Sequence, residues 1–281
     1  MFRLGWGVAG AAWATNVALV AGIALAVAIF FSRSVRLEFH APGLWRPQPA
    51  RLRALLVLGL PIGLAISVDV TGAALFQIMQ VQLGPVDGAA TQIVMMLTSI
   101  AFMPAVGIGI AGTTLVGQSM GAGDPAWAAR VGNATIALSV AYMGLVGLAI
   151  ALAGPWLAPL FVSASDPHAA PTIALAVSLL WIAAIYQALD ALHLGSSFCL
   201  RGAGDTRFPA LLMLLLSWGV FVPLAHTLTF ATGEGWIAGA PGAGLGATGG
   251  WIAITVYIAL LAITLGARWR SGAWQRMRSV G

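Results

Sequence analysis

Three side chains that can bind or move a cation recur within eight residues of one apolar stretch: Tyr186, Asp190 and His193. On a helix, spacings of four and three residues place all three along one stripe. A carboxylate, a phenol and an imidazole so arranged can hold a proton, or give a hard cation the oxygen ligands it prefers. A second carboxylate, Asp69, sits in another apolar stretch, eight residues after Pro61. Each costs about 2.5–3.5 kcal/mol on insertion scales if it lies near the middle of a hydrocarbon layer, so its presence points to work rather than accident.

The elements that must position these groups are membrane helices. Of the 281 residues 60% are hydrophobic and 7% charged, and mean hydropathy is +0.95. An ordinary soluble domain carries roughly 25% charged residues, so a soluble globular class is excluded. Seven stretches are long enough to cross a bilayer: 5 to 31, 54 to 82, 88 to 118, 127 to 153, 170 to 199, 208 to 230 and 247 to 267. The first outruns a secretory signal core and is expected to be a retained helix. The fold class expected is all-α and polytopic.

All 13 basic residues are arginine, set against 8 acidic ones, and they cluster beside the apolar runs as membrane-flanking charge. That excludes a nucleic-acid surface. Placing the 32 to 53 segment in the cytoplasm puts twelve arginines inside and only Arg3 outside. This orientation, with the N-terminus outside and the Arg-rich tail inside, is expected for a cell inner membrane. The single cysteine, Cys199, excludes an internal disulfide and reads as a small buried side chain.

Counting helical rise puts Asp69 roughly 24 Å and Asp190 roughly 16 Å from the cytoplasmic flank, both within the hydrocarbon layer. No Arg or Lys lies deep in the spans. The carboxylates are therefore protonated, or a mobile cation sits beside them, which is the chemistry of a cation-coupled carrier. Gln77, Gln80, Gln92 and Gln187 can add oxygens, although each alone is more often a helix–helix hydrogen bond. His193 and Tyr186 likewise admit a reading as interface groups satisfied by each other or by carbonyls.

Other motifs have plainer readings. Gly5-Trp6-Gly7-Val8-Ala9-Gly10 has the form of a dinucleotide fingerprint but lacks the strand and soluble βαβ context. Gly117 to Asp124 ends one helix, and Asp124-Pro125 starts the next. Arg201-Gly202-Ala203-Gly204-Asp205-Thr206 reads first as a tight turn anchored by charge, and second as a gate that changes shape. Gly5, Gly7, Gly10 and Ala14 recur as Gly244, Gly246, Gly249 and Ala253, a weak repeat that suits a carrier of two parallel halves. No His/Asp/Glu cluster at metal-ligand spacing and no nucleophile beside a base is visible, so no enzyme and no cofactor are expected.

Several stretches together resemble the MATE (multidrug and toxic compound extrusion) transporters, in particular their NorM-type branch. They are Leu60-Pro61 followed by Asp69, the run from Phe102-Met103-Pro104 through Gly123, Tyr186 to Asp190, Leu200 to Thr206, and Trp218 before Pro223. The resemblance implies that residues 54–267 form a six-helix C-terminal lobe. It implies that 1–31 match the last helix of the preceding lobe, 32–53 an Arg-rich linker and 268–281 a cytoplasmic tail. It also implies a coupling-cation site of Asp69, Tyr186 and Asp190 for Na+ or H+, with Gln187 and His193 as neighbours. Asp69 stands where the family usually has Glu, so its reach is one methylene shorter.

The resemblance further implies cation-coupled antiport of drugs or organic cations across the bilayer. Such a lobe is expected to need a second lobe, either the N-terminal half or another copy. Two alternatives stand beside this: a lipid or lipid-precursor flippase of the same superfamily, and a non-transporting truncated membrane subunit.

Overall fold

The computed structural model describes residues 7–32, 48–163, 165–237, 239 and 241–276. Helix α1 (Gly7–Phe30) belongs to a first compact unit, Met1–Leu55. It is apolar on all sides, with Trp13, Val20 and Ile23 exposed. That is the surface of a helix whose solvent is hydrocarbon. The glycine at position 5, on which one part of the internal repeat rests, lies outside the described residues.

The second unit, Leu56–Gly281, holds everything else. Its helices are α2 (Pro49–Gln82, which begins in the first unit), α3 (Pro85–Gly121), α4 (Pro125–Leu157), α5 (Ala169–Gly202), α6 (Arg207–Leu216), α7 (Val222–Thr229) and α8 (Gly246–Arg270). Among the described residues seven helical spans are long and apolar enough to cross a membrane, as the hydropathy pattern predicts. Several run past the apolar stretch at either end: α3 reaches Gly121 and α4 begins at Pro125. Between them Gly123 adopts φ 77°, and the Asp124 carboxylate accepts the Trp127 N–H at 2.8 Å. The predicted stop and start therefore stand, built on a left-handed glycine and an Asp cap.

Helix α5 is the hub, packed along α3, α4 and α8. In a bilayer helices associate through close packing, which small residues at the crossings permit. A Cβ added at Gly195 would come within 3.1 Å of the Ile136 Cα, and one at Gly202 within 2.5 Å of the Thr113 carbonyl oxygen. Neither crossing leaves room for a side chain.

The span predicted over 208 to 230 is one helix only in outline. A π-helical turn, Ser217–Phe221, separates α6 from α7. Pro223 has no N–H to give and its ring crowds the preceding turn. The helix widens there, with the Val222 N–H reaching back to the Ser217 carbonyl. Such a bulge commonly marks a functional position, and here it turns Ser217 and Phe221 inward.

Polar groups pin both ends of the bundle. At one end Asp87, in the first turn of α3, accepts the Ala247 N–H at 2.9 Å and so caps α8. Gly246 beside it has φ 58°, so the repeated glycine here serves a tight helix entry. At the other, Arg-rich end Asp205, 3% exposed, receives Arg268 Nε at 2.9 Å. The Arg201–Thr206 turn is thus tight and charge-anchored, with Gly204 at φ 87°. Beyond α8 the tail folds back: Trp274 stacks on Trp269 at 4.3 Å, and Trp269 Nε1 donates to Asn133 of α4 at 2.9 Å.

Candidate functional site

A cavity of about 240 Å³ opens inside the second unit, walled by α2, α3, α5, the π turn and α8. Asp69, Tyr186, Asp190 and Gln187 all line it. The two carboxylates and the phenol singled out in the sequence therefore share one chamber, though Asp69 comes from a helix more than a hundred positions away from Asp190. Phe76, Phe102, Phe221, Ile254 and Ile258 supply the apolar wall, and among the described residues no lysine or arginine lines it.

Each group is held differently. Asp69 is exposed at the open side. Asp190 is 3% exposed, and its Oδ1 lies 3.1 Å from His193 Nδ1. That distance suits an Nδ1–H donating to the carboxylate, which fixes the Asp190 rotamer. His193 is thus satisfied by Asp190 on one nitrogen, not by Tyr186. The Tyr186 ring meets Trp251 edge to face at 6.1 Å, an arrangement that favours one ring orientation.

Gln187 is 1% exposed and its Oε1 has no partner among the described residues. A buried acceptor left open inside an acid-lined chamber is a ready ligand for a cation or a water. The other glutamines do other work. Gln80 accepts from Thr91 Oγ1 at 3.4 Å, and Gln77 reaches the Met95 sulfur at 3.5 Å. Gln92 lines a separate cleft of about 680 Å³.

Four oxygen-bearing residues of the same chamber are not singled out by the sequence reasoning: Thr98, Ser99, Ser217 and Tyr257. Tyr257 carried a usable signal, being one of only 3 tyrosines in the chain and lying within an apolar span. Ser217 carried a weaker one, six residues before Pro223. Thr98 and Ser99 carried none, since hydroxyls are common in membrane helices and usually bond back to their own turn.

Among the described residues no group of three His, Cys, Asp or Glu is placed to hold a metal ion. The chamber is a sparse, oxygen-lined site with two acids and, among the described residues, no cationic side chain in its lining. It can take a proton, or a hard monovalent cation with water completing its shell, whereas a thiolate- or imidazole-loving transition metal finds no ligand set.

A bundle of membrane-length helices around an acidic chamber open at Asp69 defines a multi-pass membrane protein. A model of the MatE family matches residues 61–227. "Multidrug resistance protein NorM" of Burkholderia vietnamiensis is 35% identical over 225 residues, covering 80% of this chain and 46% of the relative. "Probable multidrug resistance protein NorM" of Burkholderia pseudomallei (strain K96243) is 34% identical over 268 residues, covering 95% and 54%. The chain belongs to the MATE family of transporters, as the sequence resemblance implies.

Among solved structures, the outward-facing conformation of a multidrug resistance MATE family transporter of the MOP superfamily superposes with a TM-score of 0.79. It is 20% identical, and the match covers 98% of this chain and 59% of that one. A MATE structure in the bent conformation gives a TM-score of 0.75 at 20% identity, covering 96% and 56%. These likenesses show the fold. The chain spans about half the length of the curated relatives it matches. The relatives are named as multidrug resistance proteins and the solved structures as transporters.

Proposed function

We propose that this chain forms the C-terminal lobe of a cation-coupled exporter of drugs or organic cations, with Asp69, Tyr186 and Asp190 as the coupling site for Na+ or H+. The observation that carries the reading is the chamber: two carboxylates, a phenol and an open amide oxygen converge there with no lysine or arginine among the described lining residues, Arg201 acting on Asp69 only from beyond the lining. Occupancy by a cation favours one lobe arrangement over another only through its difference in affinity for the two. On this reading residues 54–267 are the lobe, 1–31 the last helix of the lobe before it, 32–53 the linker and 268–281 the tail. The second lobe is an N-terminal half or another copy, and the Arg-rich segments face the cytoplasm of an inner membrane. The flippase alternative draws no support from the chamber, because its lining lacks the basic side chains an anionic headgroup would seek.

The test is cation-driven efflux of a fluorescent organic cation by this lobe joined to an N-terminal lobe. Asp190→Asn is expected to abolish it, and Asp69→Asn to weaken it at least about tenfold, a loss of about 1.4 kcal/mol in coupling. Undiminished efflux in Asp190→Asn, with normal expression, sinks the assignment.

A further inference from the structure

Polar groups continue along α5 beyond Asp190, the last of its residues to line the chamber. Towards the Arg-rich end of α5, His193, Ser196 and Ser197 are 4%, 0% and 2% exposed. His193 Nε2, Ser196 Oγ and Ser197 Oγ nevertheless have no hydrogen-bond partner among the described residues. Buried helical hydroxyls ordinarily bond back one turn, as Ser119 does to the Leu115 carbonyl at 2.7 Å and Thr135 to that of Val131 at 2.9 Å. Ser196 and Ser197 forgo that bond. At about 100° per residue, His193, Ser197 and Arg201 fall within about 80° of one another, and Asp190 lies among them. The flank that packs on α4, carrying Gly195 and Cys199, is about 160° away around the helix from His193 and Ser197 respectively. His193, Ser197 and Arg201 thus form one line, from the chamber to Arg201 over roughly 16 Å of helix, and Ser196 stands about 60° to one side of His193, towards Gly266 of α8.

We propose that this line holds a file of water joining the chamber to the Arg-rich end of the lobe, and that His193 passes protons between that water and Asp190. A proton taken by Nε2 is matched by one leaving Nδ1: the Nδ1–H bond breaks, an O–H bond forms on Asp190 Oδ1, and a neutral imidazole remains as the Nε2–H tautomer. The reverse sequence discharges Asp190. Orphaned buried acceptors and donors are what internal waters satisfy, at two to four bonds each. His193 sits where such a water file meets the carboxylate, touching one with each nitrogen.

The ionisable groups around it are Asp190, Tyr186 and Arg201 on α5, Asp69 on α2 and Tyr257 on α8. On α3 the sole ionisable residue is Asp87, committed to the α8 cap. On α4, Tyr142 packs in the Ala191 cluster, and Arg130 lies in the second turn over Trp127. On α6, Arg207 is the first residue. The value of the relay for transport rests on the cation reading above, whereas the water file does not.

The test uses the whole chain in lipid nanodiscs. Cys199, 0% exposed and turned to the Gly132 carbonyl on α4, is a native dry control. In a Cys199→Ser background, Ser197→Cys and Ser196→Cys are expected to react with a small water-soluble methanethiosulfonate at least about tenfold faster than Cys199 does in the unsubstituted chain. Reaction of both variants as slow as Cys199 overturns the water file, and the relay with it. Proton release is then followed with a pH dye as NaCl replaces choline chloride. The unsubstituted chain is expected to release protons and His193→Gln to release less than half as many. Equal release overturns the relay. No release from the unsubstituted chain, together with fast labelling, refutes Na+ as the coupling cation and a relay of the proton it displaces, while upholding the water file.

Discussion

Arg268 is the side chain whose removal has the most calculable consequence. Its Nε donates to Asp205 at 2.9 Å, and its guanidinium lies 4.9 Å from the Phe208 ring centre. Asp205 is 3% exposed at its side chain and Arg268 26%. Replacing Arg268 with Met keeps the apolar stem but strands a buried carboxylate. Removing one partner of a fully buried pair costs about 3–5 kcal/mol. Because Arg268 is partly open to solvent, water reaches the stranded group and about 2–3 kcal/mol is the better expectation. For a unit of this size that lowers the thermal midpoint by on the order of 5–10 °C. Asp205→Asn leaves a neutral acceptor for the same Nε–H and is expected to cost about 1 kcal/mol. The double variant should then recover more than half of the Arg268→Met loss, since no charge remains buried. Differential scanning of the detergent-purified chain measures all four proteins. A midpoint for Arg268→Met within about 2 °C of the parent, below the expected shift, or a double variant less stable than either single one, refutes the clamp. The contest between a static turn and a moving gate at Arg201–Thr206 then reopens.

Two further outcomes follow from the ends of the bundle. Asp87→Ala removes the cap on α8 and leaves the Ala247 N–H open near a helix start, costing about 1–2 kcal/mol; faster amide hydrogen exchange at 246–249 reports it, and unchanged exchange contradicts the capping role. Trp274→Ala removes a ring 1% exposed and stacked on Trp269. The expected loss is about 3–4 kcal/mol, with new protease sensitivity after Arg270. A tail that stays resistant to cleavage would mean the stack is not what holds it.

The contrast between what was legible in the sequence and what was not follows from the range of each interaction. Spans were legible because hydrophobicity accumulates over some twenty consecutive residues, a signal that tertiary packing does not erase. Tyr186 and Asp190 were legible as neighbours because one helical turn joins them. Their meeting with Asp69 was legible because isolated acids in apolar helices have few places to go other than a shared polar chamber. Tyr257, Ser217, Thr98 and Ser99 come from three other elements: the rarity of tyrosine pointed to the first and Pro223 faintly to the second, whereas Thr98 and Ser99 bond back to Met95 and Met96 of their own helix and nothing local sets them apart. The π turn needed the preference of Pro223 to be weighed against a wall of side chains that only the folded lobe supplies. Asp87 looked like a loop residue, because its partner, the Ala247 N–H, is 160 positions away.

The same reasoning explains how a lobe can keep an acid in its middle and still pack firmly. Helix α5 divides its work by angle. The side facing α4 carries Gly195 against Ile136, and Cys199 against the Gly132 carbonyl, contacts close enough to exclude water. The other side carries Asp190, paired with His193 Nδ1, while His193 Nε2 and Ser197 Oγ remain open among the described residues. Stability from close packing scales with the first side and is indifferent to the charge state of the second. On the proposed reading, a change of proton or cation at Asp190 alters what the chamber prefers to hold without loosening the α4–α5 seam. Had the acid been on the packed side, each titration would have cost the lobe its fold. Separation of the two faces lets one helix serve as both the hub of the bundle and the wall of its site.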